Sequence, residues 1–187
     1  MLDAPVGQVL QAYLEDGGKV EDTHWSDPEG LGDDGTRLTA LRAYSERGTT
    51  LCSSETIAVE LTIRVLKARP DLCVGFDLIA DDGTVVLRQY DTDVPEEAAR
   101  VRKPGSYRLM CRIPPGLLHG RRYLIAPRLG IHNQKWRVNC DPLISINVVV
   151  DHGRTPYWVS LSAQSRPGVV APVLKWYSEA SAHQSAG

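Results

Sequence analysis

The chain has 187 residues, enough for one domain with its own core, and is 42% hydrophobic and 24% charged, the balance of an ordinary globular protein. Its formal charge of −2 lacks the basic excess of a nucleic-acid binder, so no nucleic-acid partner is expected. No apolar run approaches the roughly 20 residues that span a bilayer. The opening MLDAPVGQVLQAYLEDGG also lacks the basic start and apolar stretch of a signal peptide, so a cytoplasmic location is expected.

Val6 to Leu14 has apolar positions at helical spacing and reads as a short amphipathic helix. Glu15 to Thr36 is acidic, glycine-rich and poor in aliphatic residues, and reads as a linker or mobile arm whose one large apolar residue is Trp25. From Arg37 the period changes to two. RLTALRAYS, Arg37 to Ser45, is a first strand. IAVELTIRVL, from Ile57, places Val59, Leu61, Ile63 and Val65 on one face and Ala58, Glu60, Thr62 and Arg64 on the other. That alternation marks a half-buried antiparallel strand.

DLCVGFDLIA and TVVLRQYDT flank Asp81, Asp82 and Gly83, a hairpin signal. PEEAARV reads as a helical turn with Pro95 at its start. SYRLMCRI, RYLIAPRLGI and PLISINVVV (Pro142 to Val150) complete seven short strands. The pattern implies an all-β, immunoglobulin-like antiparallel β-sandwich. One sheet takes the first, second and fifth strands, and the other takes the third, fourth, sixth and seventh. Tyr123 lies where such sandwiches carry a corner tyrosine whose hydroxyl bonds upstream backbone. Gly168 to Trp176 is an extended apolar segment with no neighbouring partner strand, so it either folds back or pairs with another chain. Residues 1–36 are thus a helix and linker, 37–178 the sandwich, and 179–187 a tail.

Cys52, Cys73, Cys111 and Cys140 lack the clustered spacing of a zinc site and read as buried free thiols; neither a metal nor a cofactor is implied. There is no GxSxG nucleophile elbow and no GxxxxGK[ST] phosphate loop. His119 and His152 sit in glycine-containing turns and read as ordinary surface histidines. Asp91, Asp93, Glu96 and Glu97 could pair as acid and base for glycoside cleavage, but fit a solvated turn and the acidic start of a short helix better, since neither pair has an apolar context.

With Val74, Phe76 and Leu78 inward, the second sheet presents Cys73, Asp77, Arg88, Tyr90, Arg128, Ser145 and Asn147 outward. The loop HNQKW adds His132, Asn133, Gln134 and Trp136 at one edge. Sugar hydroxyls need directed donors and acceptors, which Asp77, Arg88, Arg128 and Asn147 supply. The apolar C–H face of a sugar ring can lie on Tyr90 or Trp136. The same residues also fit a face that is polar only for solubility.

DDGTVV, KPGSYRLMCRIPPGLLHGRRYLIAPRLGI and RPGVVAPVLKW, in that order and spacing, resemble the C-terminal domain of Wzt-type ATPases, which serve O-antigen-exporting ABC transporters. The resemblance runs from about Arg37 to Trp176, and GQVLQAYLED looks like the segment that follows the ATPase domain in such proteins. It implies a sandwich that binds the exported O-antigen polysaccharide, often at a modified non-reducing end. It implies an ATPase domain preceding residue 1 and, through it, the transporter's membrane subunit as partner. It further implies a homodimer in which the last strand, 168–176, is exchanged. A ligand-free dimerisation domain and a glycan-modifying enzyme relying on Asp91 or Glu96 are the two alternative expectations.

Overall fold

The computed structural model describes residues 22–94, 102–131, 135–152 and 168–178. Within them the chain forms nine strands: β1 (His24–Gly32), β2 (Thr36–Ser45), β3 (Ile57–Val65), β4 (Leu72–Ala80), β5 (Val85–Tyr90), β6 (Gly105–Ile113), β7 (Arg122–Ile131), β8 (Lys135–Asn139) and β9 (Ile144–Asn147). One sheet has the order β1-β2-β3-β6; the other runs β5-β4-β7-β8, with β9 also paired to β7. All pairings are antiparallel. The expected division of seven strands between two sheets is therefore the observed one, with β1 and β8 added.

The core lies between the inward faces. Leu38 and Leu41 of β2, Val59, Leu61 and Ile63 of β3, Val74, Phe76 and Leu78 of β4, and Tyr123, Ile125 and Leu129 of β7 are all buried there. Burying each such side chain contributes about 1.5–3 kcal/mol before conformational entropy is subtracted. The Asp81–Gly83 turn forms as expected: Gly83 takes φ 86°, and the Ala80 N–H donates to the Thr84 carbonyl at 2.8 Å. Tyr123 is fully buried, and its hydroxyl lies 3.0 Å from the His119 carbonyl and 2.9 Å from the Val169 carbonyl. Burial pushes its phenol up to about 12, so it remains a donor at every ordinary pH.

The chief correction to the linker reading is β1. Where Glu15 to Thr36 was expected to be an arm, His24–Gly32 pairs along β2, with Trp25 and Leu31 packed on the core. A register shift between Ser26 and Leu31 accommodates Pro28 and a left-handed Gly30 (φ 69°). Proline, glycine and charge are the features that blunt an edge strand, and they erase its alternation in the sequence. The expected helix at residues 6–14, the PEEAARV turn at 95–101 and the tail at 179–187 lie outside the described residues.

Pro127 sits in the middle of β7, a central strand, where proline is normally excluded. The register explains it. β9 pairs with β7 only as far as Ile125, and the pairing with β8 begins at Arg128, so Pro127 falls in the gap between them. Its missing N–H therefore leaves no ladder bond unmade.

Among the described residues, the segment 168–178 joins none of the nine strands. Val170 makes a single bridge to Leu118, and the Ala171 N–H donates to the Leu117 carbonyl at 2.8 Å. The ring of His152 spans from Ser53 Oγ (2.5 Å) to the Ala171 carbonyl (2.7 Å). After Ala171 every described side chain is exposed, Trp176 by 92%. Neither histidine is an ordinary surface residue: His119 is buried and His152 is half-buried within this anchor. The four cysteines are half-buried rather than buried.

Candidate functional site

The outward face of the second sheet is built around one carboxylate. Asp77 stands opposite Arg88 on β5, and its side chain is 1% exposed. Arg88 Nε and Nη2 donate to the two Asp77 oxygens at 2.5 and 2.7 Å. Arg128 Nε and Nη2 reach the Oδ2 atom at 3.0 and 2.8 Å. Burial would raise the Asp77 carboxyl, but the hydrogen bonds from Arg88 and the charges of both arginines more than offset it and hold it below the usual carboxylate range. The hydrogen bond to Asp77 correspondingly pushes Arg88 up.

The two arginines differ in role. Arg128 is buried, and its Nη1 donates to the carbonyls of Pro127 (2.9 Å) and Cys140 (2.8 Å). It plugs the gap where β7 changes partner from β8 to β9, supplying donors that a neighbouring strand would otherwise provide. Arg88 is 45% exposed and lies over Trp136, its guanidinium carbon 5.8 Å from the ring centroid. Its Nη1 takes no part in holding Asp77.

Trp136, also 45% exposed, lies beside Tyr90 with ring centroids 6.2 Å apart and planes 26° from parallel. Burial raises the Tyr90 phenol, keeping it protonated and able to donate. Gly75, opposite Tyr90 in the β4–β5 register, is what lets that ring lie close to the sheet. A Cβ there would stand 2.0 Å from the Gln89 carbonyl oxygen and 2.7 Å from the Tyr90 ring. The result is an aromatic ledge edged by a charged donor and set over the buried Asp77–Arg128 ion pair.

Five of the six expected site residues thus come together: Asp77, Arg88, Tyr90, Arg128 and Trp136. Two of them, Asp77 and Arg128, are buried supports rather than open hydrogen-bonding groups. Trp136 belongs to β8 and not to a loop. Asn147 is apart from the rest. It pairs with Arg122, six residues along β7 from Arg128, a separation of about 20 Å at strand rise. Ile79, Leu124 and Ala126, a small buried apolar cluster, lie between the two ends. Asn139 takes the place expected of Asn147, exposed and opposite Arg128. It was hidden because a shift at Leu129/Gly130 changes the alternation of β8. Gly75 did carry a signal, since a lone glycine inside a strand marks a close approach. His132, Asn133 and Gln134 lie outside the described residues.

The carboxylates weighed for catalysis are used by the backbone. Asp91 accepts from the Val74 N–H at 2.7 Å and pairs with Arg102. Asp93 accepts from the Tyr90 N–H at 2.7 Å and from Gln89 Nε2 at 2.9 Å. Both fix the end of β5. Glu96 and Glu97 lie outside the described residues.

Neither a protein-family model nor a curated protein sequence matches the chain. Solved structures do. The fold is that of the C-terminal domain of wzt. The crystal structure of that domain superposes with a TM-score of 0.57 over 87% of this chain and 98% of the other, at 13% sequence identity. The expected immunoglobulin-like sandwich and the likeness to this domain are therefore both found in three dimensions. Among the described residues no helix is long and apolar enough to cross a membrane.

Proposed function

We propose that the chain is a non-catalytic carbohydrate-binding domain that recognises an exported O-antigen polysaccharide at its non-reducing end, as the substrate-recognition domain of an ABC transporter. The observation that carries this reading is the ledge of Tyr90 and Trp136 beside the outer edge of Arg88. A sugar ring laid on the ledge covers its C–H face, while Arg88 Nη1, the Tyr90 hydroxyl and the Asn139 amide are placed for its hydroxyl groups. Because Asp77 and Arg128 hold Arg88 in one orientation, little side-chain entropy is lost when the sugar arrives. The fold likeness to the wzt C-terminal domain supports the same reading.

In this reading the ATPase domain lies elsewhere in the full protein and connects the sandwich to the membrane subunit at the cytoplasmic side of the inner membrane. Two copies associate by exchanging residues 168–176. The support for exchange is an extended apolar segment, with Val173, Leu174, Trp176 and Tyr177 all exposed, that among the described residues is anchored at its beginning alone.

Isothermal titration with polysaccharide from the cell that makes this protein tests the reading. Binding at about 1 mM or tighter, weakened at least ~10-fold in Trp136→Ala and Tyr90→Ala, is expected. A folded wild type that ignores the polysaccharide would leave a dimerisation domain instead. Turnover of the glycan that Asp91→Asn abolishes would make the protein an enzyme.

A further inference from the structure

We infer that the outer face of the first sheet is a docking surface for a protein partner that presents carboxylates. This face is on the opposite side of the sandwich from the aromatic ledge and does not depend on the glycan reading.

The registers of β2, β3 and β6 set its side chains in rows. Tyr44, Ala58 and Arg112 form one row; Arg42, Glu60 and Met110 the next; Ala40, Thr62 and Arg108 the third; and Arg37, Arg64 and Ser106 the fourth. Glu60 is 4% exposed and is clamped by Arg42 through Nε and Nη2 (both 3.0 Å), with Arg108 Nε at 3.4 Å. Arg112 pairs with Glu46 at 2.7 Å. Arg37 is turned to the rim, towards the Glu29 and Gly30 carbonyls of β1. Across the centre, Arg42, Arg64, Arg108 and Arg112 face two carboxylates, Glu60 and Glu46, and no carboxylate stands in the row of Arg64. The surface of β2, β3 and β6 is therefore positive on a chain whose formal charge is −2, with Asp27 and Glu29 of the edge strand β1 to one side.

The kind of partner follows from composition and shape. The exposed side chains of these rows are Arg42, Arg64, Arg108, Met110 and Arg112, with Ser106 at one end and Tyr44 half-buried beside Arg42; none is lysine, and arginine, tyrosine and methionine are enriched at protein interfaces. Arg42 lies over Tyr44 at 4.8 Å, and Glu60 takes its Nε and Nη2 and fixes its guanidinium plane, so the outer Nη1–Nη2 edge is what is held ready for a partner's carboxylate. The β3–β6 register runs unbroken across the face, which suits a folded partner surface. A second copy does not fit, because a two-fold contact through this face would set arginine against arginine.

Poly-L-glutamate serves as the carboxylate probe, with a single-stranded 20-mer oligonucleotide and phosphatidylserine vesicles as phosphate-bearing comparators. Fluorescence anisotropy with wild type is expected to show poly-L-glutamate binding that weakens with salt and drops at least ~10-fold in R64E/R108E and in the milder R108Q. Glycan binding stays as in wild type, the melting temperature stays so in R64E alone and falls modestly wherever Arg108, a partner of Glu60, is replaced, and Tyr90→Ala leaves poly-L-glutamate binding intact. Equal binding by R64E/R108E, or no binding by wild type, would overturn the proposal. So would binding of the oligonucleotide or vesicles alone, which would reassign the face to a phosphate-bearing partner. A wild-type dimer in sedimentation that R64E/R108E dissociates would make the occupant a second copy and overturn it as well.

Discussion

Each sheet carries the same device on the outside of an inner strand, a buried carboxylate clamped by two arginines: Asp77 with Arg88 and Arg128 on β4, Glu60 with Arg42 and Arg108 on β3. The chemistry matches; the surroundings do not. Arg128 is 10% exposed and spends its remaining donors on backbone carbonyls, whereas Arg108 is 70% exposed. Around Asp77 the pair has become part of the architecture and sets an aromatic ledge above it. Around Glu60 both arginines reach water, and the face stays open and charged. A clamp around a buried carboxylate is structural when one of its arginines has no route to solvent, and is a surface feature when both arginines do.

Removing each carboxylate sharpens that contrast most. Asp77→Ala leaves Arg128 buried without its counter-ion and is expected to cost about 3–5 kcal/mol in urea unfolding. Glu60→Ala frees two arginines that can hydrate and is expected to cost only about 1 kcal/mol. The Asp77 pair also carries an acid dependence. Its folded pKa is depressed, so the stability it contributes is fully present above the ordinary carboxylate value and is lost as pH falls through the lower, folded one. Unfolding profiles below about pH 4 should be steeper for wild type than for Asp77→Asn.

Gly75→Ala comes next, at roughly 1–3 kcal/mol, because the new methyl meets the β5 backbone and the Tyr90 ring. Its signature is a change in Trp136 fluorescence, which no substitution on the first sheet should produce. Tyr123→Phe strands carbonyls at a corner that serves both sheets, so a loss of about 1 kcal/mol is expected with ledge and arginine face equally intact. The smallest effect on stability belongs to Trp136→Ala. This residue is half-exposed, so its melting curve should shift by no more than about 0.5 kcal/mol while glycan binding disappears.

Much of this was written in the alternation of the strands. Val59, Leu61, Ile63 and Val65 show their inward face in the sequence, the Asp81–Gly83 turn marks its hairpin, and Tyr123 marks the corner. These signals are local and survive without knowledge of the neighbours. β1 and β8 were not legible for opposite reasons. β1 is an edge strand whose Pro28, Glu29 and Gly30 break the period, and β8 is five residues long with a register shift that reverses its outward set. The choice of Asn147 over Asn139 failed on that same shift. Alternation also names a side but not a depth. It placed Asp77 and Arg128 on the outward face, where they are, but could not show that the strand switch at Pro127 draws both beneath the surface.

The central claim is that the Tyr90–Trp136 ledge meets the glycan while the arginine face on the other sheet does not. Backbone and indole NMR shifts during titration with the producing cell's polysaccharide test this most directly. The account predicts shifts at the Trp136 indole, Tyr90, Arg88 and Asn139, with β2, β3 and β6 unmoved. Shifts centred on Arg42, Arg64 and Arg108, with the Trp136 indole unchanged at saturation, would contradict it.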